Sequence, residues 1–314
     1  MKRNQNYIKS GLAVLLICGG LFAGCTGGDS KETMAPQADS GKAEQESAEA
    51  DRQGLQGEDK SEKELEKLRF VDSWGEWHSM TVNPNVEKHP YDWSCLTNTE
   101  EEIKYEGDER YNIRKGIDVS EHQGKVDWEK VRAAGYEFAM IRIGYRGYGT
   151  EGSLHVDAVF HENITGAKAA GIDVGVYFFS QAVNEEETLE EAALVLENLE
   201  GYELELPVVF DPERIRDDTA RTDDVSGGQF TKNTALFCKK MKEAGYQPMI
   251  YSNLVWEAFE YDMEQLADYP IWYADYEAVP QTPYRFTFWQ YSEKGRVDGI
   301  NGAVDLNVQF HEKQ

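Results

Sequence analysis

From about Asn112 onward, apolar runs rich in β-branched and aromatic residues alternate with segments of helical period. The runs are GIDVS (116–120), FAMIRIGY (138–145), DVGVYFFS (173–180), LPVVFD (206–211), QPMIYSN (247–253), PIWYADY (270–276), FTFWQYS (286–292) and AVDLNVQF (303–310). The first five are separated by helical segments such as VDWEKVRAAG, DAVFHENITGAKAAG and QFTKNTALFCKKMKEAG. These three segments end alike, at Gly135, Gly171 and Gly245. A glycine just past a helix end takes the left-handed cap conformation at little cost. Strand–helix units with short links predict a parallel sheet. Eight such strands predict an α/β fold, an irregular (β/α) barrel of the TIM-like type. The irregularity is expected because the last three strands lack full helices between them. An open doubly wound sheet is the alternative. No G-x-G-x-x-G follows any strand, so a dinucleotide site has no support.

Ahead of this region the pattern changes three times. The segment MKRNQNYIKSGLAVLLICGGLFAGCTGG has a basic start (Lys2, Arg3, Lys9) and then an apolar run from Gly11 to Ala23. That run is short for a membrane span and fits the apolar region of an export signal, so residues 1–24 are read as a signal peptide. Its end, LFAGC, resembles the bacterial lipoprotein cleavage box, which implies that Cys25 is lipidated and becomes the first mature residue. Residues 25–67 are rich in charged and small polar residues, nearly free of large apolar ones, and expected to be a disordered acidic tether. Such a chain reaches roughly 35–40 Å, and its last part, SEKELEKLRF, favours a short helix. Residues 68–111 contain Trp74, Trp77, Trp93 and Tyr91 and are expected to pack on something. They are either an N-terminal extension lying on the main domain, residues 112–314, or a small ligand- or wall-binding element.

The formal net charge of −26 over 314 residues opposes binding to nucleic acid, whose phosphates would be repelled. With Cys18 in the signal and Cys25 lipidated, Cys95 and Cys238 remain. They can form one disulfide in an oxidising compartment, but two isolated cysteines do not establish it. There is no C-x-x-C or H-E-x-x-H, and His155 and His161 read as surface residues of a helical region. No metal or cofactor is therefore expected.

In a β/α barrel, active-site residues come from the C-terminal ends of the strands. Those ends carry Asp118; Arg142 and Tyr145; Tyr177, Phe179 and Gln181; Asp211 and Glu213; and Tyr251 and Asn253. The last three give Trp272 and Asp275; Trp289, Gln290 and Tyr291; and Asp305 and Asn307. Acids and aromatics converging on one mouth form the composition of a carbohydrate site. Four acids so crowded repel one another unless protonated or bridged by a ligand. Asp211 and Glu213, two apart on one strand, share a face and lie roughly 7 Å apart. Glycoside hydrolysis needs one protonated acid for the leaving oxygen and one charge for the developing cation.

The blocks GIDVSEHQGKVDWEKVRAAGYEFAMIRIGYRGYG, AGIDVGVYFFSQA, LPVVFDPE, MIYSN, IWYADY and FWQYSEKGRVDGINGAVDLN occur in this order. Together, over about residues 113–311, they resemble glycoside hydrolase family 25, lysozymes of the N-acetylmuramidase type. The resemblance implies an irregular β/α barrel that cleaves the β-1,4 bond between N-acetylmuramic acid and N-acetylglucosamine. It implies Glu213 as general acid and Asp211 as the charge orienting the 2-acetamido group, with Asp118 and Asp305 as further acids of the site. Tyr177, Tyr251, Trp272 and Trp289 look like subsite walls, with Tyr145, Phe179, Asp275 and Gln290 as further substrate contacts. Pro212 and Glu121 stand where the family usually has other residues. The expected partners are peptidoglycan glycan strands and, through Cys25, the bacterial membrane. The chain is expected to be a monomer outside the cytoplasm, facing the cell wall. A catalytically silent wall-binding lipoprotein and a hydrolase of another N-acetylated glycan are the competing readings.

Overall fold

The computed structural model describes residues 65–99, 102–216 and 218–313; the signal peptide, Cys25 and nearly all of the tether lie outside them. In chain order the first strands are β1 (Lys67–Val71), β2 (Trp77–Thr81), β3 (Leu96–Asn98), β4 (Ile103–Tyr105) and β5 (Tyr111–Val119). Then come α1 (Trp128–Ala133), β6 (Phe138–Arg146), β7 (Leu154–Val156), α2 (Phe160–Ala169), β8 (Asp173–Ser180) and α3 (Glu185–Asn198). The remainder is β9 (Val208–Pro212), α4 (Gly227–Glu243), β10 (Pro248–Asn253), β11 (Ile271–Ala274), β12 (Phe288–Gly295) and β13 (Val304–Glu312).

The ring runs β5–β13–β12–β11–β10–β9–β8–β6 and closes through β5–β6, with β7 appended to β6. It is an eight-stranded barrel, and the open-sheet alternative is excluded. Neighbours are parallel from β5 through β6 and β8 to β12, but β13 is antiparallel to both β12 and β5. The expectation that Asp305 and Asn307 end the last strand is thereby corrected. Residues 296–303 are too few for the crossover that a parallel return needs. The chain therefore hairpins back, and the N-terminal end of β13 sits at the mouth, with Asp305 opposite Asp118.

The three capping glycines lie at φ +88° (Gly135), +72° (Gly171) and +91° (Gly245). After each, the next residue's N–H bonds back into the helix, as in Tyr246 to the Met241 carbonyl at 3.0 Å. A Cβ on Gly245 meets nothing within 4 Å, so Gly245→Ala carries only the left-handed backbone penalty. The expected loss, read by urea denaturation, is about 1 kcal/mol; no loss would contradict the cap geometry.

Helices α1 to α4 cover the outer faces of β5, β6, β8 and β9, around Ile117, Ile141, Val176, Val208, Phe210 and Phe237. The later strands have no such cover, and residues 65–111 supply it. Phe70, Met80, Val82, Tyr91, Ile103 and Tyr105 pack against Ile271, Tyr273, Phe286, Trp289, Val308 and Phe310. Tyr91 stacks on Phe310 with ring centroids 4.0 Å apart, and its hydroxyl donates to the Phe286 carbonyl at 2.5 Å. Burying each such side chain stabilises the fold by about 1.5–3 kcal/mol.

Of the segment SEKELEKLRF, expected to favour a helix, residues 61–64 lie outside the described residues, and Lys67–Phe70 instead belong to strand β1, because pairing with β2 outweighs local propensity. Of the three tryptophans expected to pack, Trp93 is half-buried, whereas Trp74 and Trp77 on the β1–β2 hairpin are exposed. Cys95 and Cys238 are separate thiols. His155 is exposed but lies on strand β7, not in a helix.

Candidate active site

Alternation along the strands sorts side chains between the lumen and the outer layer. Phe138, Met140, Val209, Met249, Trp272 and Phe288 fill the lumen floor. Above them the polar residues begin. Gln290 is the hub: its Nε2 donates to Asp118 Oδ2 at 2.8 Å and to Asp305 Oδ2 at 3.4 Å. Its Oε1 accepts from the Tyr251 hydroxyl at 2.9 Å and the Tyr276 hydroxyl at 3.0 Å. Asn307 donates to Asp118 Oδ2 at 2.8 Å and accepts from the Trp272 indole N–H at 2.8 Å. Both amides are thus oriented by their partners, and so is the Asp118 carboxyl.

The acids respond to their crowding. Burial, then the Asp118 charge, pushes Asp305 up to about 9. Burial raises Asp118 to about 6, opposed by hydrogen bonds from Asn307, Gln290 and Asp305. Of this pair, Asp305 is the carboxyl that holds a proton more strongly, because it lacks the close amide donors that favour charged Asp118. Glu213 is raised to about 7, by burial and then by Asp118. Asp211 is pushed well above the usual carboxylate range by burial, then by Glu213 and Asp118, with Arg142 opposing. Asp211 Oδ1 is a buried oxygen with no hydrogen-bond partner. A buried acceptor left open is costly unless a ligand fills it.

Pro212 ends β9 and pairs in register with Ser180, so its missing N–H costs the ladder little. Beyond it, the Glu213 carbonyl accepts from buried Gln181 Nε2 at 2.6 Å, and Gln181 Oε1 accepts from Thr222. Arg214 forks onto Glu260 with two contacts of 2.9 Å and donates to the Thr222 and Val225 carbonyls. The turn carrying Glu213 is therefore held from both sides. Glu121 accepts from Arg142 at 3.0 Å, and Arg142 donates to Asp157 at 2.8 Å while lying over the Tyr145 ring.

The structure gathers Asp118, Asp211, Glu213, Asp305, Tyr177, Tyr251 and Gln290 at one mouth. Phe179, half-buried, lies beside Asp211 in the β8–β9 register, and Tyr145 stacks on His155 at the rim. Three expected contacts fall elsewhere. Trp272 is 1% exposed and forms the floor beneath Tyr177 and Tyr251 rather than a wall. Trp289 is fully buried in the outer layer, its indole N–H donating to the Asp275 carbonyl at 2.8 Å. Asp275 also points outward and accepts from Tyr273 Oη and from Gln281 and Glu277 N–H. Sequence reasoning passed over Tyr276, whose signal was an aromatic two residues past the strand end in WYADY. Among the described residues one trio could share a cation, Asp72, Glu76 and His78 on the β1–β2 hairpin. Asp72 already spends both oxygens there, on Trp74 N–H, Glu76 N–H, His78 and Arg216.

A closed β/α barrel whose mouth crowds buried carboxyls of raised pKa beside tyrosines has the make-up of a glycoside hydrolase. The model of Glycosyl hydrolases family 25 matches residues 117–300, and the chain belongs to that family. Among curated proteins it is 32% identical over 203 residues to Lysozyme M1 of Streptomyces globisporus, covering 62% of this chain and 66% of that one. It is 28% identical over 196 residues to the autolytic lysozyme of Clostridium acetobutylicum, covering 62% of this chain and 55% of that one. Among solved structures, the bacterial lysozyme of Streptomyces coelicolor superposes with a TM-score of 0.52 at 30% identity. That match covers 62% of this chain and 90% of the other.

Proposed function

We propose that the protein is a muramidase that cleaves the β-1,4 bond between N-acetylmuramic acid and N-acetylglucosamine in peptidoglycan, by acid catalysis from the Asp211–Glu213 pair. One observation carries the chemistry: the open, buried Asp211 Oδ1 beside a Glu213 raised to about 7. An acetamido N–H of the bound sugar fills that acceptor. Accepting it favours ionised Asp211 and leaves the remaining proton of the pair on Glu213. Glu213 passes that proton to the glycosidic oxygen as the C1–O bond breaks. The acetamido oxygen, oriented through its N–H, closes on C1 to form an oxazolinium ion. Water then attacks C1 and gives its proton to Glu213, which restores the free enzyme. Asp118, held by Gln290 and Asn307, supplies negative potential near the developing cation.

Mass spectrometry of digests of defined peptidoglycan tests the bond. Products ending in reducing N-acetylmuramic acid are expected; N-acetylglucosamine ends, or cleavage of chitin alone, would overturn the assignment. The proton ledger adds a pH dependence. Loss of the Glu213 proton removes the acid, so kcat/KM should fall tenfold per pH unit above about 7. A rate still rising through pH 8 would exclude Glu213 as donor.

We also infer that Cys25 carries a lipid and that residues 26–64 hold the barrel off the outer face of the membrane. The basic–apolar–LFAGC pattern supports this. Among the described residues no helix is long and apolar enough to cross a membrane. Cys25→Ser should move the protein from the membrane pellet to the soluble fraction; unchanged partition would sink the anchor.

A further inference from the structure

We propose that the β1–β2 hairpin is an aromatic platform that prolongs the glycan groove beyond the barrel and grips the sugar strand a few residues from the cleaved bond. This deepens the muramidase reading and rests on it. The hairpin lies outside the segment that the family model matches.

The most exposed large apolar side chains among the described residues are Trp74, at 64%, and Trp77, at 62%. Indoles left in water at the tip and outer face of one hairpin call for a partner, because nothing in the fold needs them there. Neither is floppy. The Arg69 guanidinium lies 4.7 Å from the Trp77 ring centroid and that of Arg216 lies 5.6 Å from the Trp74 ring centroid. Each cation backs its ring and leaves the rest of the indole open. Asp72 braces the turn, its Oδ1 accepting from Trp74 N–H and Glu76 N–H at 2.9 Å each and its Oδ2 from Arg216 at 3.3 Å. Gly75, at φ +82°, permits that turn.

The hairpin is also fastened to both loops that frame the mouth. Arg216 follows Glu213 by three residues, so their Cα atoms are at most about 10 Å apart. On the other side, the Gln281 side chain accepts from Val71 N–H at 2.9 Å and donates to the Val71 carbonyl at 2.9 Å. The Gln281 backbone N–H donates to Asp275 Oδ2, and the next residue, Tyr276, bonds to the hub Gln290. A hairpin tied in this way holds its rings at a set distance from the catalytic pair.

Chemistry selects the occupant. The apolar face of a pyranose stacks on an indole and needs no charge from the protein. A lipid surface is the other common partner of tryptophan with arginine. Here, however, exposed Glu76 lies between the two tryptophans in the sequence of the turn, and the chain carries −26 overall, which opposes an anionic bilayer.

The probe is peptidoglycan glycan strands freed of stem peptides and fractionated by length. In the Glu213→Gln background, adding Trp74→Ala and Trp77→Ala should weaken binding of long strands about tenfold in sedimentation assays. With Glu213 intact, the same pair should lower the ratio of kcat/KM on long to short strands by a similar factor. Trp74→Phe with Trp77→Phe should restore part of both, since a ring is kept. An unchanged long-strand affinity and an unchanged ratio would overturn the platform. So would loss of sedimentation with phosphatidylglycerol vesicles while strand binding persists, which would make the hairpin a lipid contact. Failure of the muramidase reading shows separately, as wild-type enzyme that releases no reducing ends, while the binding arm still reports on the hairpin.

Discussion

Replacing Glu213 by glutamine should lower kcat on peptidoglycan by roughly two to four orders of magnitude, with the barrel intact. An amide has no proton of suitable acidity to give to the leaving oxygen, while its size and its backbone anchor to Gln181 are unchanged. Stability gives the same variant a second, independent reading. Burial and Asp118 raise Glu213 from 4.5 to about 7 in the fold. Between those values the native state binds more protons than the unfolded chain, so wild-type stability falls as pH rises through that window. The glutamine variant lacks this term and should gain on the wild type by about 3 kcal/mol between pH 4.5 and pH 8. Paired urea denaturations at the two pH values measure it. A variant that remains as active as wild type refutes the donor role. A stability difference that does not move with pH refutes the protonation of Glu213 in the resting enzyme.

The second large effect is on folding. Trp289→Ala should cost about 3–5 kcal/mol, because the ring is fully buried between the outer face of the barrel and the N-terminal segment. The loss includes the indole bond to the Asp275 carbonyl, which helps hold the loop leading to Tyr276. A residue of the sugar-binding wall would behave otherwise. Its removal would raise KM and leave the denaturation midpoint in place, and that outcome would reverse the assignment of Trp289 to the core.

The contrast between Trp289 and Gln290 shows where sequence reading stops. Both stand in FTFWQYS, and period-two alternation says only that they face opposite sides. Which side is the lumen depends on the register against β11 and β13, where Gln290 pairs with Ala274 and Asn307. The same ambiguity moved Asp275 from the site to a loop brace; Trp272 does face the lumen, but its depth, beneath Tyr177 and Tyr251, makes it floor rather than wall. Asp305 was found for a partly mistaken reason: it lies at the mouth because β13 runs backwards, a choice made by the short 296–303 link.

Residues 68–111 raise a related difficulty. Their aromatics announced packing, but a local pattern cannot say which surface they cover. Only the finished barrel shows that β11 to β13 lack outer helices and that this segment supplies the missing layer. The two tryptophans left in water become visible by the same contrast with Trp93.

By itself, the sequence determined what is local. The eight strands follow from apolar runs, the helix ends from glycines with no Cβ to clash, and the acids from their places beside strand termini. Tertiary structure decided what depends on partners far along the chain: closure through β5–β6, the reversal of β13, and which ring or carboxyl faces the lumen. It also decided the proton distribution, because the shifts in Asp118, Glu213 and Asp305 arise from burial and mutual charge. Neither exists until the barrel closes around them.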